Sequence, residues 1–238
     1  MSKTIEFILT EDGSPTAYFD NFGSDNFQHE KMHHSGGAFG ESVYIYGPAI
    51  QWGFAKLDHP QILSLGTGIA YNEILSAAFS IVFDAPLKMA SYEANNDLNE
   101  ALIAWLKNSQ EKIVPFKIYD SVLEMTANVF DISGEEIKSK MLSSFVAGDW
   151  KIKDAWDSQD REKYNVVIYD FFSSKAMEPF WTEEFLTEFL MKNADKKCSF
   201  GTYACTGKLK RALKANHFTY YKRKGYLWKR SSTFACRG

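Results

Sequence analysis

The sequence predicts an α/β fold with a mostly parallel sheet, on three observations. From about residue 61, short apolar strands alternate with helical segments of ten or more residues, which is typical of βαβ units. A glycine turn, Gly66-Thr67-Gly68, follows the first of these strands, and Glu93 and Asp170 follow two later ones. Because the carboxyl ends of parallel strands meet at one edge of a sheet, we expect these residues to lie close together.

In the first half of this region, strands are predicted at residues 61–65 and 88–92, each followed by a helix. The third strand is expected near residues 143–147, directly before Gly148-Asp149. The stretch before it, residues 109–142, is interpreted as an irregular, partly helical insertion.

In the second half, residues 166–169 form a strongly apolar fourth strand, and Thr182 is expected to cap the helix after it. The remaining predicted elements are a fifth strand, a helix and a final antiparallel strand pair, at residues 199–203, 208–216, 218–221 and 233–236. Residues 1–50 carry short apolar stretches and turns, which predict a small N-terminal β extension. Residues 51–238 then form one Rossmann-like domain.

Composition is that of a soluble globular protein, with 45% hydrophobic and 24% charged residues. No apolar run approaches the roughly 20 residues that span a membrane, and the N-terminus lacks a secretory pattern, so a cytoplasmic location without membrane contact is expected. Three cysteines without a C-x-x-C pair predict reduced thiols. No His/Cys cluster has the spacing of a metal site, so no metal is expected.

Charge is distributed unevenly along the chain. Residues 196–238 contain Lys and Arg but no Asp or Glu, so the net charge of −3 conceals a strongly basic C-terminal segment. A basic segment is typical of a protein with a polyanionic partner, and equally of a solvated face. Composition alone leaves both interpretations open.

Gly66-Thr67-Gly68 and Glu93, about 25 residues apart, together predict a nucleoside site, because glycines let the backbone approach a ligand and a strand-end acid binds ribose hydroxyls. A plain turn and a surface glutamate are the alternatives. The third glycine of dinucleotide sites is absent, which favours S-adenosylmethionine, a ligand without phosphate. Asp149 is the expected acceptor for its adenine amino group.

Asp170 ends the buried fourth strand beside the aromatic residues Phe171 and Phe172, with Trp181 further along. A carboxylate in this position could orient a substrate amine or take its proton. Helix capping is the alternative role.

The motifs resemble, in order, those of the MnmC methyltransferase domain, the amine-methylating half of a bifunctional tRNA modification enzyme. The similarity begins with TEDGSPT at residues 10–16 and covers nearly the whole chain. Its other members are His33, Gly37-Ala38, Glu41-Ser42, Leu65-Gly66-Thr67-Gly68, Gly148-Asp149, Asp170 with Phe172, Trp181-Thr182, Thr202-Tyr203, Gly207, Lys210-Arg211, Gly225 and Lys229-Arg230.

The resemblance implies a class I methyltransferase sheet and transfer of a methyl group from S-adenosylmethionine to 5-aminomethyluridine at the tRNA wobble position. It implies no FAD, since the oxidase half is absent, and a stand-alone form for which we expect a monomer. Asp170 and Tyr203 are then the catalytic candidates, with His33 a weaker one, and the anticodon stem-loop is the partner. The substrate-binding candidates are Phe172, Trp181, Lys210, Arg211, Lys222, Arg223, Lys224, Lys229 and Arg230.

The sequence departs from the family at two places. Ile62 and Ser64 replace the acid and the glycine that usually lead into the glycine turn, and Phe171 replaces a glycine after Asp170. Two alternatives therefore stay open: a methyltransferase with a small-molecule or protein substrate, and a tRNA-binding relative that has lost catalysis.

Overall fold

The computed structural model describes residues 5–19, 30–109, 116–156, 160–172, 177–227 and 231–238. Its strands are β1 Ile5–Leu9, β2 Pro15–Phe19, β3 Glu30–Lys31, β4 Gln61–Leu65, β5 Lys88–Tyr92, β6 Trp150–Lys153, β7 Tyr164–Tyr169, β8 Ala194–Thr202, β9 Thr219–Lys224 and β10 Ser231–Arg237. Its helices are α1 Ala38–Lys56, α2 Tyr71–Val82, α3 Asn96–Leu106, α4 Lys117–Phe130, α5 Gly134–Ala147, α6 Glu183–Asn193 and α7 Gly207–Ala215, with a 3₁₀ turn at Glu178–Trp181.

A seven-stranded sheet with the order β6-β5-β4-β7-β8-β10-β9 forms the centre of the molecule. Strands β4 to β8 run parallel, and β10 runs antiparallel to both β8 and β9. The chain moves outward from β4 to β6 and then returns to place β7 beside β4. Such a reversal of strand order opens a crevice at the carboxyl ends of the strands, where α/β proteins bind ligands.

Helices cover both faces of the sheet, and alternate residues of each strand face opposite layers. On one face Ile62 and Ile168 pack in a core with residues of α1 to α5. On the other face Leu63 and Val167 pack with residues of α6 and α7. The predicted α/β class and mostly parallel sheet are confirmed, as are the strands at 61–65 and 88–92 and the capping role of Thr182, whose side chain accepts the N–H of Phe185.

The predicted third strand at residues 143–147 is wrong, because these residues belong to α5. Ile137, Met141 and Ser144 are the buried residues of that helix, a spacing of four and three that places them on one helical face. The strand in this position of the sheet is β6, which follows Gly148-Asp149 instead of preceding them. Residues 109–142, expected to be an irregular insertion, contain α4 and most of α5.

The N-terminal β extension is present as a three-stranded antiparallel sheet of β1, β2 and β3. It is shorter than predicted, because α1 begins at Ala38 and continues past the expected boundary at residue 50. Gly47, Pro48 and Gly53 lie inside α1 and lower its helix propensity, so the segment lacks the usual sequence pattern of a helix.

The turn between β1 and β2 caps the N-terminus of α1. Gly37 precedes the helix and has no side chain to cap it. The hydroxyl of Ser14 instead accepts the N–H groups of Ala38 and Phe39 at 2.9 and 3.0 Å, and Asp12 Oδ2 accepts that of Gly40 at 3.2 Å. Burial alone would raise the pKa of Asp12, but hydrogen bonds from Ser14, Thr10 and the backbone outweigh it and lower the pKa. The TEDGSPT motif therefore holds α1 in place.

We expect Ser14→Ala to lower the free energy of unfolding by about 1 to 2 kcal/mol, because it removes the acceptor of the Phe39 N–H and leaves the Ala38 N–H only Thr10 Oγ1, at 3.2 Å. Urea unfolding followed by circular dichroism measures this change. Glu11→Ala is the matched control, since Glu11 is an exposed carboxylate in the same turn. Equal stability of the two variants would show that the cap does not stabilise α1.

Candidate active site

A cavity of about 580 Å³ lies at the carboxyl ends of β4, β5, β7 and β8. This volume is within the range of about 300–1,000 Å³ that is typical of small-molecule sites. One wall comes from the N-terminal extension, through Met32 and His33, and from the first turns of α1. The strand ends therefore supply the floor of the cavity, and the extension closes one side of it.

The glycine turn after β4 forms part of the floor. Gly66 has a φ of +89°, a conformation that glycine adopts easily, and a side chain there would collide with the backbone carbonyl of Asp170. The N–H groups of Gly66 and Thr67 both bind the carbonyl of Tyr92, at 2.9 and 3.2 Å. Glycine at this position thus brings the ends of β4, β5 and β7 close together.

Glu93 lines the cavity directly after β5 and is 9% exposed. Its two carboxylate oxygens accept the N–H groups of Gly68 and Asn95, both at 2.9 Å. Burial raises the pKa of Glu93 although these hydrogen bonds act in the opposite direction. Two further polar atoms of cavity-lining residues, Thr67 Oγ1 and Asn72 Oδ1, are buried with no hydrogen-bond partner among the described residues.

Asp170 follows β7 and is held by two side chains from different helices. The hydroxyl of Tyr46, on α1, donates a hydrogen bond to Oδ1 of Asp170. The amide of Asn72, on α2, donates to Oδ2 at 3.3 Å. Burial and then the charge of Asp170 raise the pKa of Tyr46 well above its usual value, so Tyr46 remains a protonated donor. The carboxylate therefore has a defined orientation at the cavity.

Two aromatic candidates, Phe172 and Tyr203, also line the cavity. The hydroxyl of Tyr203 donates to the carbonyl of Phe171 at 2.9 Å, which fixes the chain beside Asp170. Trp181 is 3% exposed and is not among the residues that line the cavity. Its indole N–H donates a hydrogen bond to the carbonyl of Phe172 at 2.8 Å, so Trp181 holds the backbone of a residue that lines the cavity.

Asp149 does not lie at the cavity, contrary to expectation. It precedes β6 and is exposed at the amino end of that strand, where its carbonyl accepts the N–H of Met89 at 2.9 Å. The error follows from the misplaced third strand. The carboxyl end of β6 instead places Ala155 and Trp156 at the cavity, with Trp156 4.8 Å from the ring of Tyr92.

The basic residues predicted to bind the substrate differ in their exposure and in their contacts within the protein. Lys222 and Lys224 are exposed on β9, the edge strand. Arg223 instead binds α1. Its guanidinium donates a hydrogen bond to the backbone carbonyl of Tyr44 at 2.7 Å and lies 4.4 Å from the centre of the Tyr44 ring.

On α7, Lys210 is half-buried, and Arg211 forms an exposed ion pair with Glu183 at 2.6 Å. Lys229 and Arg230 lie outside the described residues, but Ser231, which follows them, lines the cavity. The basic C-terminal segment therefore reaches the cavity wall.

A buried acid lies behind the glycine turn, where the sequence departs from the family. Glu73, on α2, is 1% exposed, and burial raises its pKa to about 7, although the nearby hydroxyls of Ser64 and Ser91 lower it. The two carboxylate oxygens of Glu73 and the hydroxyl of Ser64 are nevertheless buried without a hydrogen-bond partner among the described residues. Ser64 thus lies near Glu73 in the core and is not among the residues that line the cavity.

Among the described residues, no group of three or more His, Cys, Asp or Glu side chains has the arrangement of a metal site. In the same part of the chain, no helix is long and apolar enough to cross a membrane.

Sequence reasoning did not identify several residues of the site. Tyr46, Asn72, Tyr92 and Trp156 line the cavity, but they come from helices and strand ends far apart in sequence. Local sequence patterns do not predict the contacts of Tyr46 and Asn72 with Asp170, because these residues precede Asp170 by 124 and 98 positions in the sequence. Glu41, which also lines the cavity, belonged to a recognised motif without an assigned role.

Comparison with known proteins agrees with this fold. A crystal structure of MnmC2 from Aquifex aeolicus superposes with a TM-score of 0.63 at 19% identity, over 99% of this chain and 71% of that chain, and so has a similar fold. An uncharacterized protein of Methanocaldococcus jannaschii is 25% identical over 190 residues, 79% of this chain. The chain spans 47% of that relative's length.

A family model described as S-adenosyl-L-methionine-dependent methyltransferase matches residues 117–237, half of the chain. This stretch includes Asp170 and Tyr203 and ends at Arg237, the last residue of β10. The expected enzyme class is confirmed: the chain belongs to the S-adenosyl-L-methionine-dependent methyltransferases.

Proposed function

We propose that the protein methylates the exocyclic amine of 5-aminomethyluridine at the wobble position of tRNA. The observation that carries the proposal is the carboxylate of Asp170, which Tyr46 and Asn72 hold at a cavity that also contains Glu93. The resemblance to the MnmC methyltransferase domain supplies the identity of the substrate.

The cavity residues suit the adenosyl part of the cofactor. Glu93 is fixed by two backbone N–H groups, which leaves its remaining lone pairs for ribose hydroxyls. Thr67 Oγ1 and Asn72 Oδ1 are buried polar atoms without a partner among the described residues, and a polar ligand would satisfy them. Tyr92 and Trp156 provide aromatic surface for the base.

When bound, S-adenosylmethionine supplies a methyl group on a positively charged sulfur, so the protein's task is mainly to align the acceptor and exclude water. Asp170 is placed to bind an amine and accept its proton, because both carboxylate oxygens are already oriented by hydrogen bonds. The aromatic rings of Phe172 and Tyr203 line the same cavity and can stack on an extruded base.

The charge of the C-terminal segment favours an RNA over a small acceptor. Lys222 and Lys224 are exposed on the edge strand, and the chain continues from them to Ser231 at the cavity. Thr206, which caps α7 next to Lys208 and Lys210, also lines the cavity. Cationic side chains on segments that reach the cavity can bind the phosphates of an anticodon loop while its base enters the site.

Glu93→Gln should raise the dissociation constant for S-adenosylmethionine by about tenfold or more, about 1.4 kcal/mol, because the amide loses a charged acceptor for the ribose. Isothermal titration calorimetry measures this change. Glu100→Gln, an exposed position on the following helix α3, is the matched control. An unchanged dissociation constant for Glu93→Gln would remove Glu93 from the cofactor site.

The wild-type protein should transfer tritium from methyl-labelled S-adenosylmethionine to an anticodon stem-loop that carries 5-aminomethyluridine, and not to one that carries uridine. Asp170→Asn should lower kcat by about 100-fold or more, because it removes the proton acceptor, and should leave cofactor affinity within about twofold.

Asp149→Asn is the control, since Asp149 is exposed at the opposite end of the sheet. Wild-type turnover by Asp170→Asn would contradict its catalytic role. Methylation of a small amine but of neither stem-loop would support the small-molecule alternative, and cofactor binding without any transfer would support the inactive relative.

Reversing charge with Lys222→Glu and Lys224→Glu should raise KM for tRNA and flatten its salt dependence, because each lost phosphate contact changes the slope of log affinity against log salt by about 0.7. Arg223 is left unchanged because it holds α1. The control is Lys56→Glu with Lys117→Glu, two exposed lysines on α1 and α4. Steady-state kinetics between low and high salt measure both quantities. If the two double variants have the same KM and the same salt dependence, Lys222 and Lys224 are only part of a solvated face.

A further inference from the structure

Asp160 is a carboxylate beside the cavity on which several side chains converge. It lies in the connection between β6 and β7, its side chain is 7% exposed, and it is not among the residues that line the cavity. Its Oδ2 accepts hydrogen bonds from the hydroxyl groups of Tyr92 and Tyr164, the second at 3.2 Å. The same oxygen forms an ion pair with Lys153 at 3.4 Å. The carboxylate therefore links the ends of β5 and β6 to the start of β7.

Asp160 is itself held in place. Its Oδ1 accepts the backbone N–H of Glu162 at 2.8 Å, and its own carbonyl accepts a side-chain N–H of Asn193, at the end of α6, at 3.0 Å. Burial alone would raise the pKa of Asp160, but its hydrogen bonds, that from Tyr92 above all, and the charge of Lys153 outweigh burial and lower the pKa. Asp160 is therefore a charged acceptor at neutral pH, and charged acceptors form the stronger hydrogen bonds.

Tyr92 connects this network to the cavity. It is the last residue of β5, lines the cavity and directly precedes Glu93. Its hydroxyl donates to Asp160 and accepts a hydrogen bond from Lys153 at 2.7 Å. Its carbonyl accepts the N–H groups of the glycine turn described above. Both the backbone and the side chain of Tyr92 are therefore fixed.

Trp156 packs against Tyr92 and also lines the cavity. The two rings lie 4.8 Å apart in an edge-to-face arrangement, and the other neighbour of Trp156 is Phe189 on α6, at 5.5 Å. Aromatic pairs favour this geometry. A chain of contacts thus runs from Asp160 through Tyr92 to Trp156.

We propose that Asp160 is a positioning residue for the adenine base of the cofactor: it holds the Tyr92 hydroxyl and so fixes the aromatic wall of Tyr92 and Trp156 against which the base stacks. This inference rests on the proposed function for the place of the base in the cavity. Asp160 touches no cofactor atom in this account and acts through Tyr92.

Ordering of the wall before binding explains the effect on affinity. A side chain that has to be ordered when the ligand binds lowers the affinity by the entropy it loses. Without Asp160, the Tyr92 hydroxyl loses its acceptor and Lys153 loses its ion-pair partner, so both side chains can adopt other rotamers in the free protein. The cofactor would then have to order them.

The test is a double-mutant cycle on the binding of S-adenosylhomocysteine to the full chain, measured by calorimetry. Asp160→Ala should raise the dissociation constant about fivefold or more, and Tyr92→Phe, which keeps the ring, should have a similar effect. Asp160→Ala added to Tyr92→Phe should raise it less than about twofold further, because the bond through which Asp160 acts is already absent. Glu162→Gln is the matched control, since Glu162 is an exposed carboxylate of the same connection, and it should leave the constant unchanged.

The cycle separates positioning from a role in stability alone. If Asp160 only stabilised the connection, Asp160→Ala would raise the dissociation constant by the same factor in the wild-type and Tyr92→Phe backgrounds, and this result overturns the inference. Wild-type affinity of Asp160→Ala also overturns it. Urea unfolding reports whether each variant folds, and Asp160→Asn, of the same shape, takes the place of an alanine variant that does not.

Tryptophan fluorescence tests whether the base lies against this wall. Saturating S-adenosylhomocysteine should quench the emission of the wild-type protein, and Trp156→Phe should lose most of this change, because a stacked purine quenches an indole. Trp52→Phe, on α1 and not among the cavity-lining residues, is the control and should keep the change. A full quench in Trp156→Phe overturns the inference.

The stem-loop assay distinguishes this inference from the proposed function. Methylation of the stem-loop combined with additive losses in the cycle refutes only the role of Asp160. Coupled losses and a quench that depends on Trp156, in a protein that methylates neither stem-loop, support the role of Asp160 and refute only the proposed RNA substrate.

Discussion

The hydrogen bond from Tyr46 to Asp170 is the interaction on which the arrangement of the site depends. It ties α1, the first helix of the chain, to the end of β7 at the point where the strand order reverses. The turn between β1 and β2 holds the N-terminus of α1, the helix that carries Tyr46, through Ser14 and Asp12. A motif at the start of the chain thus caps the helix whose Tyr46 orients a carboxylate far along the sequence.

The second constraint is the close approach of the glycine turn to the backbone of Asp170. Because Gly66 has no side chain, the ends of β4 and β7 can approach each other, and Glu93 at the end of β5 faces the same space. One edge of the sheet therefore presents two acids with different partners. Glu93 is held by backbone N–H groups and Asp170 by side chains, and the proposed function assigns Glu93 to the cofactor and Asp170 to proton transfer.

Charge is separated between the cavity and the surface that leads to it. The cavity lining is acidic among the described residues, whereas the C-terminal segment from residue 196 contains no acid at all. The proposed RNA substrate would match both regions, because its phosphates would meet lysines while its amine would meet Asp170. This pairing distinguishes the proposed substrate from a small neutral acceptor, which would have no use for the basic segment.

The sequence predicted those parts of the fold that depend on local patterns. Strands β4 and β5 are apolar runs bounded by Pro60 and Gly66 or by Pro86 and Glu93, and Thr182 stands where a cap is needed. The carboxyl ends of parallel strands share one edge of the sheet, so the sequence alone predicts that Glu93 and Asp170 lie at one site.

Features that depend on contacts between residues far apart in the sequence could not be predicted from local patterns. Helix α1 contains Gly47 and Pro48 and receives its cap from the hairpin, so its own residues do not indicate a helix. The end of α5 was predicted to be a strand, so Asp149 was expected at the carboxyl end of a strand, whereas it precedes β6. Tyr46 reaches Asp170 only through the tertiary fold, and no local signal marks it.

A crystal structure of the protein with S-adenosylhomocysteine tests the account most directly. The account predicts ribose hydroxyls within about 3.2 Å of the Glu93 carboxylate and a sulfur atom that faces Asp170, with Tyr46 and Asn72 still bound to that side chain. A nucleoside bound away from Glu93, or a sulfur atom that faces away from Asp170, would contradict it.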